Sequence, residues 1–175
     1  MGAHIFADES KRSSFVLVAA VIPPDDLTKM RQLVAGLRLP GQRRLHFVGE
    51  QDSRRKQILR AFVAAGVQTV IYDGAGYRDG KVARDAAVAR LTADAIRLRA
   101  DRLVLELDDS VAAKDRLVIR EQLLKVGVPE SLLYEHRRAH EECLLSIPDA
   151  VAWSWSKAGP WRKQIEPLVG KVVVL

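Results

Sequence analysis

Two neighbouring carboxylates close the first apolar segment of the chain. Asp8 and Glu9 follow the apolar pair Ile5-Phe6, and a short polar linker separates them from a second apolar run at residues 15–22. A carboxylate at the inner end of a strand is costly to bury without a partner, so such a residue often belongs to a functional site. Strict alternation along the strand directs Glu9 to the other face, where it would be solvated or support Asp8 indirectly.

More acidic residues follow at the ends of later elements. They are Glu106, Asp108 and Asp109 after the middle of the chain, and Asp149 near its end. Three separated carboxylates brought together by a fold can hold Mg²⁺ or Mn²⁺ against a phosphate. We expect Asp8, Asp108 and Asp149 to be the metal ligands, with Glu106 as a close second choice for the middle position and Asp109 in the following loop. The catalytic candidates are Asp8, Asp108, Asp149 and Glu106.

Several of these residues also have purely structural interpretations. Asp8 could cap the polar linker, and Asp149 could simply favour the first turn of a helix, where the helix dipole stabilises an acid. The apolar neighbours of Asp149 argue that it faces inward. His46 is expected to be a core or loop histidine, whereas His136 and His140 could contact phosphate or lie in a polar rim.

The charge balance suits a polyanionic partner. Lysine and arginine number 28 against 22 acidic residues, which gives a net charge of +6. Arginine pairs bidentately with phosphate, so the excess favours nucleic acid as a partner. An arginine-rich composition is also common in bacterial proteins of high genomic GC content, and charge alone favours nucleic acid only modestly. Arg54, Arg55 and Arg137 are the candidate substrate contacts.

The bulk properties are those of an ordinary globular domain. A length of 175 residues predicts a single domain over residues 1–175. No apolar run reaches membrane-spanning length, and no basic segment followed by an apolar stretch predicts a secretory signal at the N-terminus. The single cysteine, Cys143, excludes an internal disulfide, so a reducing cytoplasm is the expected location.

Hydrophobic periodicity predicts the elements that must position these acids. A β-hairpin comes first, and strands are predicted near residues 67–72, 103–107 and 132–136. Helices are predicted near residues 27–37, 52–65, 80–100, 114–126 and 147–156. Residues 45–48 could be a small strand or a packed loop, and residues 172–175 an edge strand. An antiparallel opening followed by alternating helices and strands predicts a ribonuclease H-like α/β fold, a mixed sheet with helices on both faces.

Four short motifs, in this order and spacing, resemble a bacterial family of uncharacterised ribonuclease H-like domains. They are Ala7-Asp8-Glu9-Ser10 with its following apolar strand, Leu45-His46-Phe47, Leu105-Glu106-Leu107-Asp108, and the segment Ile147-Pro148-Asp149-Ala150-Val151-Ala152-Trp153. The resemblance spans nearly the whole chain. It implies the same fold and a metal-dependent activity on nucleic acid, without naming a substrate.

The late motif departs from the family pattern at two positions. Ser146 and Pro148 stand where the family has glutamine and alanine. Proline is tolerated in the first turn of a helix, so the position of Asp149 is preserved, but a role for the glutamine amide is lost.

Together these observations predict a metal-dependent nuclease that hydrolyses RNA, DNA or their hybrid. Two alternatives remain open on the same fold. One is a nucleic-acid-binding module without turnover, and the other is a regulatory subunit whose basic surface meets an acidic protein. Neither alternative requires a site for a divalent ion.

Overall fold

Six strands form one mixed sheet at the centre of the molecule. The structure, a computed structural model, describes residues 2–128 and 130–175. The strands are β1 (His4–Ser10), β2 (Val16–Ile22), β3 (Gln68–Asp73), β4 (Arg102–Glu106), β5 (Leu133–Arg137) and β6 (Val169–Val174). Their order across the sheet is β5-β4-β1-β2-β3-β6.

Strand β1 lies in the interior of this sheet and sets its direction. It pairs antiparallel with β2 and parallel with β4, and β5 continues the parallel side. On the other side, β3 pairs antiparallel with β2 and parallel with β6. The carboxyl-terminal ends of the parallel strands β1 and β4 therefore lie side by side at one edge of the sheet. The first two acids of interest in the sequence, Asp8 and Glu9, lie at this edge.

Helices cover both faces of the sheet. They are α1 (Leu27–Leu37), α2 (Asp52–Ala64), α3 (Gly80–Arg97), α4 (Ala112–Lys125), α5 (Ser146–Lys157) and α6 (Pro160–Ile165). Residues of α1, α2, α5 and α6 bury apolar side chains with Phe6 and Val104 on one face. Helices α3 and α4 pack on the other face with Ile5 and Leu105. The expected mixed sheet with helices on both faces is confirmed.

The predicted elements occur with boundaries shifted by a few residues. Residues 45–48 are a packed loop that contains one short 3-10 turn rather than a strand, because Leu45 and Phe47 both bury in the core. The sequence analysis missed helix α6, a short helix that starts at Pro160. The C-terminal valines form β6, the expected edge strand. Within residues 2–128 and 130–175, no helix is both long and apolar enough to cross a bilayer.

Candidate active site

Asp8 and Glu106 are neighbours because of the register between β1 and β4. Ala7 pairs with Leu105 across the two parallel strands, so the next residue on each strand, Asp8 and Glu106, occupies the adjacent position. Both lie on the face of Phe6, since side chains alternate along a strand. Asp8 and Glu106 also line one open cavity.

Asp149 reaches the same place from helix α5. It lies in the first turn of this helix, which packs against β1. The backbone N–H of Phe47 donates to its Oδ2 atom at 3.0 Å, and the His46 Nδ1 atom lies 3.6 Å from the same oxygen. The loop before α2 therefore fixes one oxygen of Asp149. The negative charge of this carboxyl acts on Asp8.

The pKa of Asp8 lies well above its ordinary value. Burial contributes most, followed by the negative charges of Glu106 and Asp149 and the hydrogen bond with Glu106. The positive charge of Arg84 acts in the opposite direction and is outweighed. Asp8 is thus the member of this group whose ionisation the fold opposes.

Asp108 lines the same open cavity as Asp8 and Glu106, but its carboxylate is bonded to other partners. Strand β4 ends at Glu106, so the alternation that would place both acids on one face does not extend to Asp108. Hydrogen bonds from the Ser110 hydroxyl and backbone N–H, at 2.5 and 3.0 Å, and one from Lys11 hold the pKa of Asp108 below its ordinary value. Glu106, the second choice for the middle position in the sequence, is the acid adjacent to Asp8 across the two strands, and Asp108 lies two residues farther along the chain.

The loop after β4 also contains Asp109. Its side chain is 75% exposed and pairs with Arg138 at 2.9 Å. This agrees with the expectation that Asp109 belongs to the loop. An acid so exposed has its charge largely screened by solvent and does not contribute to the cluster.

The carboxylate oxygens of Asp8, Glu106 and Asp149 are the type of ligand that Mg²⁺ and Mn²⁺ prefer. Within the described residues, however, no three His, Cys, Asp or Glu side chains are arranged to hold a metal ion together. These residues therefore fit such an ion by their donor chemistry, and not by their arrangement in this structure.

Glu9 faces the opposite side of the sheet, as alternation predicts. It forms an ion pair with Arg84 of α3 and another with Lys11, at 2.8 Å. Arg84 also donates to both carboxylate oxygens of Asp115, at 2.9 and 2.8 Å, and His136 lies 2.9 Å from Asp115. The Arg84, Asp115 and His136 side chains are 3% or less exposed. This buried network, defined by Glu9, Arg84, Asp115 and His136, fastens β1, α3, α4 and β5 together.

Burial opposes ionisation of Asp115, but the hydrogen bonds from Arg84 and His136 outweigh it and hold the pKa of Asp115 below its ordinary value. The sequence left open whether His136 contacts phosphate or lies in a polar rim, and its buried position answers this question. His136 lies neither in a polar rim nor on a surface that could meet a phosphate. His140, by contrast, is exposed.

The three arginines expected to contact substrate differ in their availability. Arg54 and Arg55 donate to backbone carbonyl and side-chain oxygens around the start of α2, and their side chains are only 19% and 14% exposed. Arg137 is 48% exposed and pairs with Glu135 at 2.7 Å. The guanidinium groups of Arg54 and Arg55 are thus occupied within the protein.

Sequence reasoning missed Arg44 and the buried Arg84. The Arg44 Nη1 atom lies 3.5 Å from Glu106, and its side chain is 39% exposed. Arg84 could have been found, because it shares the i, i+4, i+7 spacing of the buried residues Val88 and Leu91 on α3. An arginine in the apolar stripe of a helix needs a buried acidic partner, so the position of Arg84 in this stripe was the signal available in the sequence.

Comparisons with known proteins support the fold. No known protein-family profile matches the chain, and no curated protein matches it. Among solved structures, the chain is similar to one from a complex of PCNA and RNase HII of Archaeoglobus fulgidus, with a TM-score of 0.57 and 14% sequence identity. The similarity covers 96% of this chain and 76% of that chain. The neighbour is an RNase HII, so the expected ribonuclease H-like fold is confirmed.

Proposed function

We propose that this chain is a metal-dependent nuclease that hydrolyses phosphodiester bonds in nucleic acid. Asp8, Glu106 and Asp149 would hold Mg²⁺ or Mn²⁺. The observation that carries the proposal is that Asp8 and Glu106 lie side by side at the ends of the parallel strands β1 and β4, with Asp149 near enough for its charge to act on Asp8. Mutual repulsion and burial raise the pKa of Asp8 there. A divalent cation is the natural counter-charge for such a cluster.

The rest of the protein prepares this cluster to act on a phosphate. The Phe47 N–H holds one Asp149 oxygen, so the acid does not have to be ordered when substrate arrives. Arg44 lies beside Glu106 and is exposed enough to reach a bound phosphate. A divalent ion held there would supply activation of a water and neutralisation of charge on the phosphate.

Two further observations support nucleic acid as the substrate. Ribonuclease H-like nucleases generally use divalent metals, and the structural neighbour is named as a ribonuclease. The chain also carries a net charge of +6 despite its acidic cluster. Excess positive charge attracts a phosphate backbone and gives a salt-dependent affinity.

A comparison of Glu106→Gln with Asp108→Asn tests which acid completes the site. We expect Glu106→Gln to lower the affinity for Mn²⁺ at least about tenfold, because it removes a ligand charge, and to lower cleavage of an RNA–DNA hybrid in parallel. Asp108→Asn should stay near wild type in both measurements, since Asp108 bonds to Ser110 and Lys11 instead. Mn²⁺ binding is measured by titration calorimetry and cleavage on a denaturing gel.

The reverse result would restore Asp108 as the middle ligand. If the wild-type protein binds no Mn²⁺ or Mg²⁺ and cleaves neither RNA, DNA nor hybrid, the nuclease proposal fails. Salt-sensitive binding of nucleic acid that survives loss of all three acids would then identify a binding module without turnover.

A further inference from the structure

Arg12 is an exposed cation on the connection between β1 and β2. It lies two residues beyond the end of β1, and Asp8 lies four residues before it. Among the described residues it forms no ion pair, unlike its neighbour Lys11, which pairs with Glu9 and Asp108. The contact that does position Arg12 is with an aromatic ring.

The indole ring of Trp153 provides that contact. The Arg12 guanidinium carbon lies 5.5 Å from the centre of this ring, within the range of a cation–π interaction. Such a contact orients the guanidinium group but does not use its N–H donors. The donors of Arg12 therefore stay available for an anion, and a guanidinium binds a phosphate through two parallel hydrogen bonds.

The ring itself is held rigidly. Trp153 is 7% exposed and packs edge-on against Phe47, with ring centres 5.3 Å apart. The Arg55 guanidinium carbon lies 4.4 Å from the Trp153 ring centre, and Arg55 also donates to the Phe47 carbonyl oxygen at 3.0 Å. Arg55, a sequence candidate for substrate binding, thus fixes the surface on which Arg12 rests. A pre-ordered support reduces the entropy lost when a ligand is bound.

The same helix carries Asp149 and Trp153 one turn apart on one face. Residues four apart in a helix have Cβ atoms roughly 5–6 Å from each other. Phe47 contacts both of them, through its N–H to Asp149 and its ring to Trp153. A continuous set of contacts therefore joins Asp149 to the Arg12 support through Phe47 and Trp153.

We propose that Arg12, resting on Trp153, binds a phosphate of the nucleic-acid strand that is held at the acidic cluster. The inference rests on the proposed function for the identity of the substrate, a nucleic-acid strand. It adds a contact residue and the direction in which the nucleic-acid strand leaves the cluster. That direction is along α5 toward the connection between β1 and β2.

Binding is measured separately from cleavage to test the proposal. All variants are made in an Asp8→Asn background, and the probe is a short fluorescently labelled RNA–DNA hybrid followed by anisotropy over a series of salt concentrations. Arg12→Ala should weaken binding roughly tenfold and lower the slope of log affinity against log salt by about 1, as expected for one lost phosphate contact. Arg12→Glu should weaken it further, and Arg12→Lys should recover only part, because lysine cannot donate bidentately.

Arg120→Ala is the matched control. Arg120 is also exposed and forms no ion pair within the described residues, but it lies on α4 against the opposite face of the sheet. Its loss should leave affinity and salt slope unchanged. Thermal melting of each variant confirms folding, which an exposed side chain such as Arg12 should not affect.

The outcomes separate the two proposals. Equal binding by the Arg12 and Arg120 variants, or no binding by the Asp8→Asn parent, overturns the role of Arg12. A clear Arg12 effect in a protein whose wild type cleaves nothing would instead refute the nuclease proposal and leave Arg12 as a phosphate contact. Cleavage by wild type with no Arg12 effect would leave the nuclease proposal intact and remove this one.

Discussion

Asp8→Asn is expected to abolish Mn²⁺-dependent cleavage while making the metal-free protein more stable. The amide is nearly the same size but has no charge, so it cannot serve as an anionic metal ligand. Loss of the ion's contribution, about 4 kcal/mol of transition-state stabilisation, corresponds to about a thousandfold lower rate. The gain in stability comes from removing a buried charge that Glu106 and Asp149 repel.

The pH dependence of stability gives this prediction a second readout. The native protein raises the pKa of Asp8 above the unfolded value of about 3.9, so it binds the proton more tightly than the unfolded chain does. The stability of the metal-free protein should therefore fall as pH rises from about 4 through the raised native pKa, and level off above it. Asp8→Asn should lack this part of the slope. Thermal melting in EDTA over a pH series measures both effects.

Added Mn²⁺ and the exposed residue Asp109 provide the controls for the Asp8→Asn variant. Added Mn²⁺ should raise the melting temperature of the wild type but not of Asp8→Asn, because only the native wild-type site binds the ion. Asp109→Asn, which changes an exposed acid of the neighbouring loop, should match the wild type in cleavage and melting. A destabilised Asp8→Asn protein, or one that retains cleavage, would contradict the role given to Asp8.

Arg84→Met is expected to cost about 3–5 kcal/mol of unfolding free energy, the usual loss when one partner of a buried ion pair is removed. Asp115 would lose two hydrogen bonds at a position only 1% exposed, and Glu9 would lose its buried partner. For a chain of this length, the melting temperature should fall by about 6–20 °C. Urea denaturation at neutral pH measures the free energy directly.

Arg90→Ala is the control on the same helix. Arg90 is 40% exposed and pairs with Asp94 at 3.3 Å, so its loss should cost about 1 kcal/mol or less.

The Arg84→Met protein should also lose the acid sensitivity that Asp115 confers. In the wild type the depressed pKa of Asp115 stabilises the fold above the unfolded pKa, and this contribution disappears as pH falls through the native value. A loss no larger than that of Arg90→Ala would show that the buried network contributes little.

The elements of this fold were predictable because their signals are local. The short apolar runs of β1, β2 and β3 and the helical spacing in α2 and α3 each depend on nearby side chains. The short helix α6 was missed because six residues give too little periodicity to recognise.

The acidic cluster was only partly predictable, for a related reason. The sequence identified Asp8, Asp149 and an acid near residue 106, since carboxylates stand out at the ends of apolar runs. It could not choose between Glu106 and Asp108, because that choice depends on where β4 stops and how it pairs with β1. A shift of one residue turns a side chain to the other face of the sheet.

By itself, the sequence determined a ribonuclease H-like α/β chain with an excess of positive charge and a few acids at strand and helix ends. Only the tertiary structure decided which acids meet, that Arg84 is a buried partner of Glu9 and Asp115, and that Arg55 supports Trp153. The physical reason is that periodicity depends on neighbours a few residues apart. Charge interactions and pKa shifts depend on distances of a few ångströms between residues far apart in the chain.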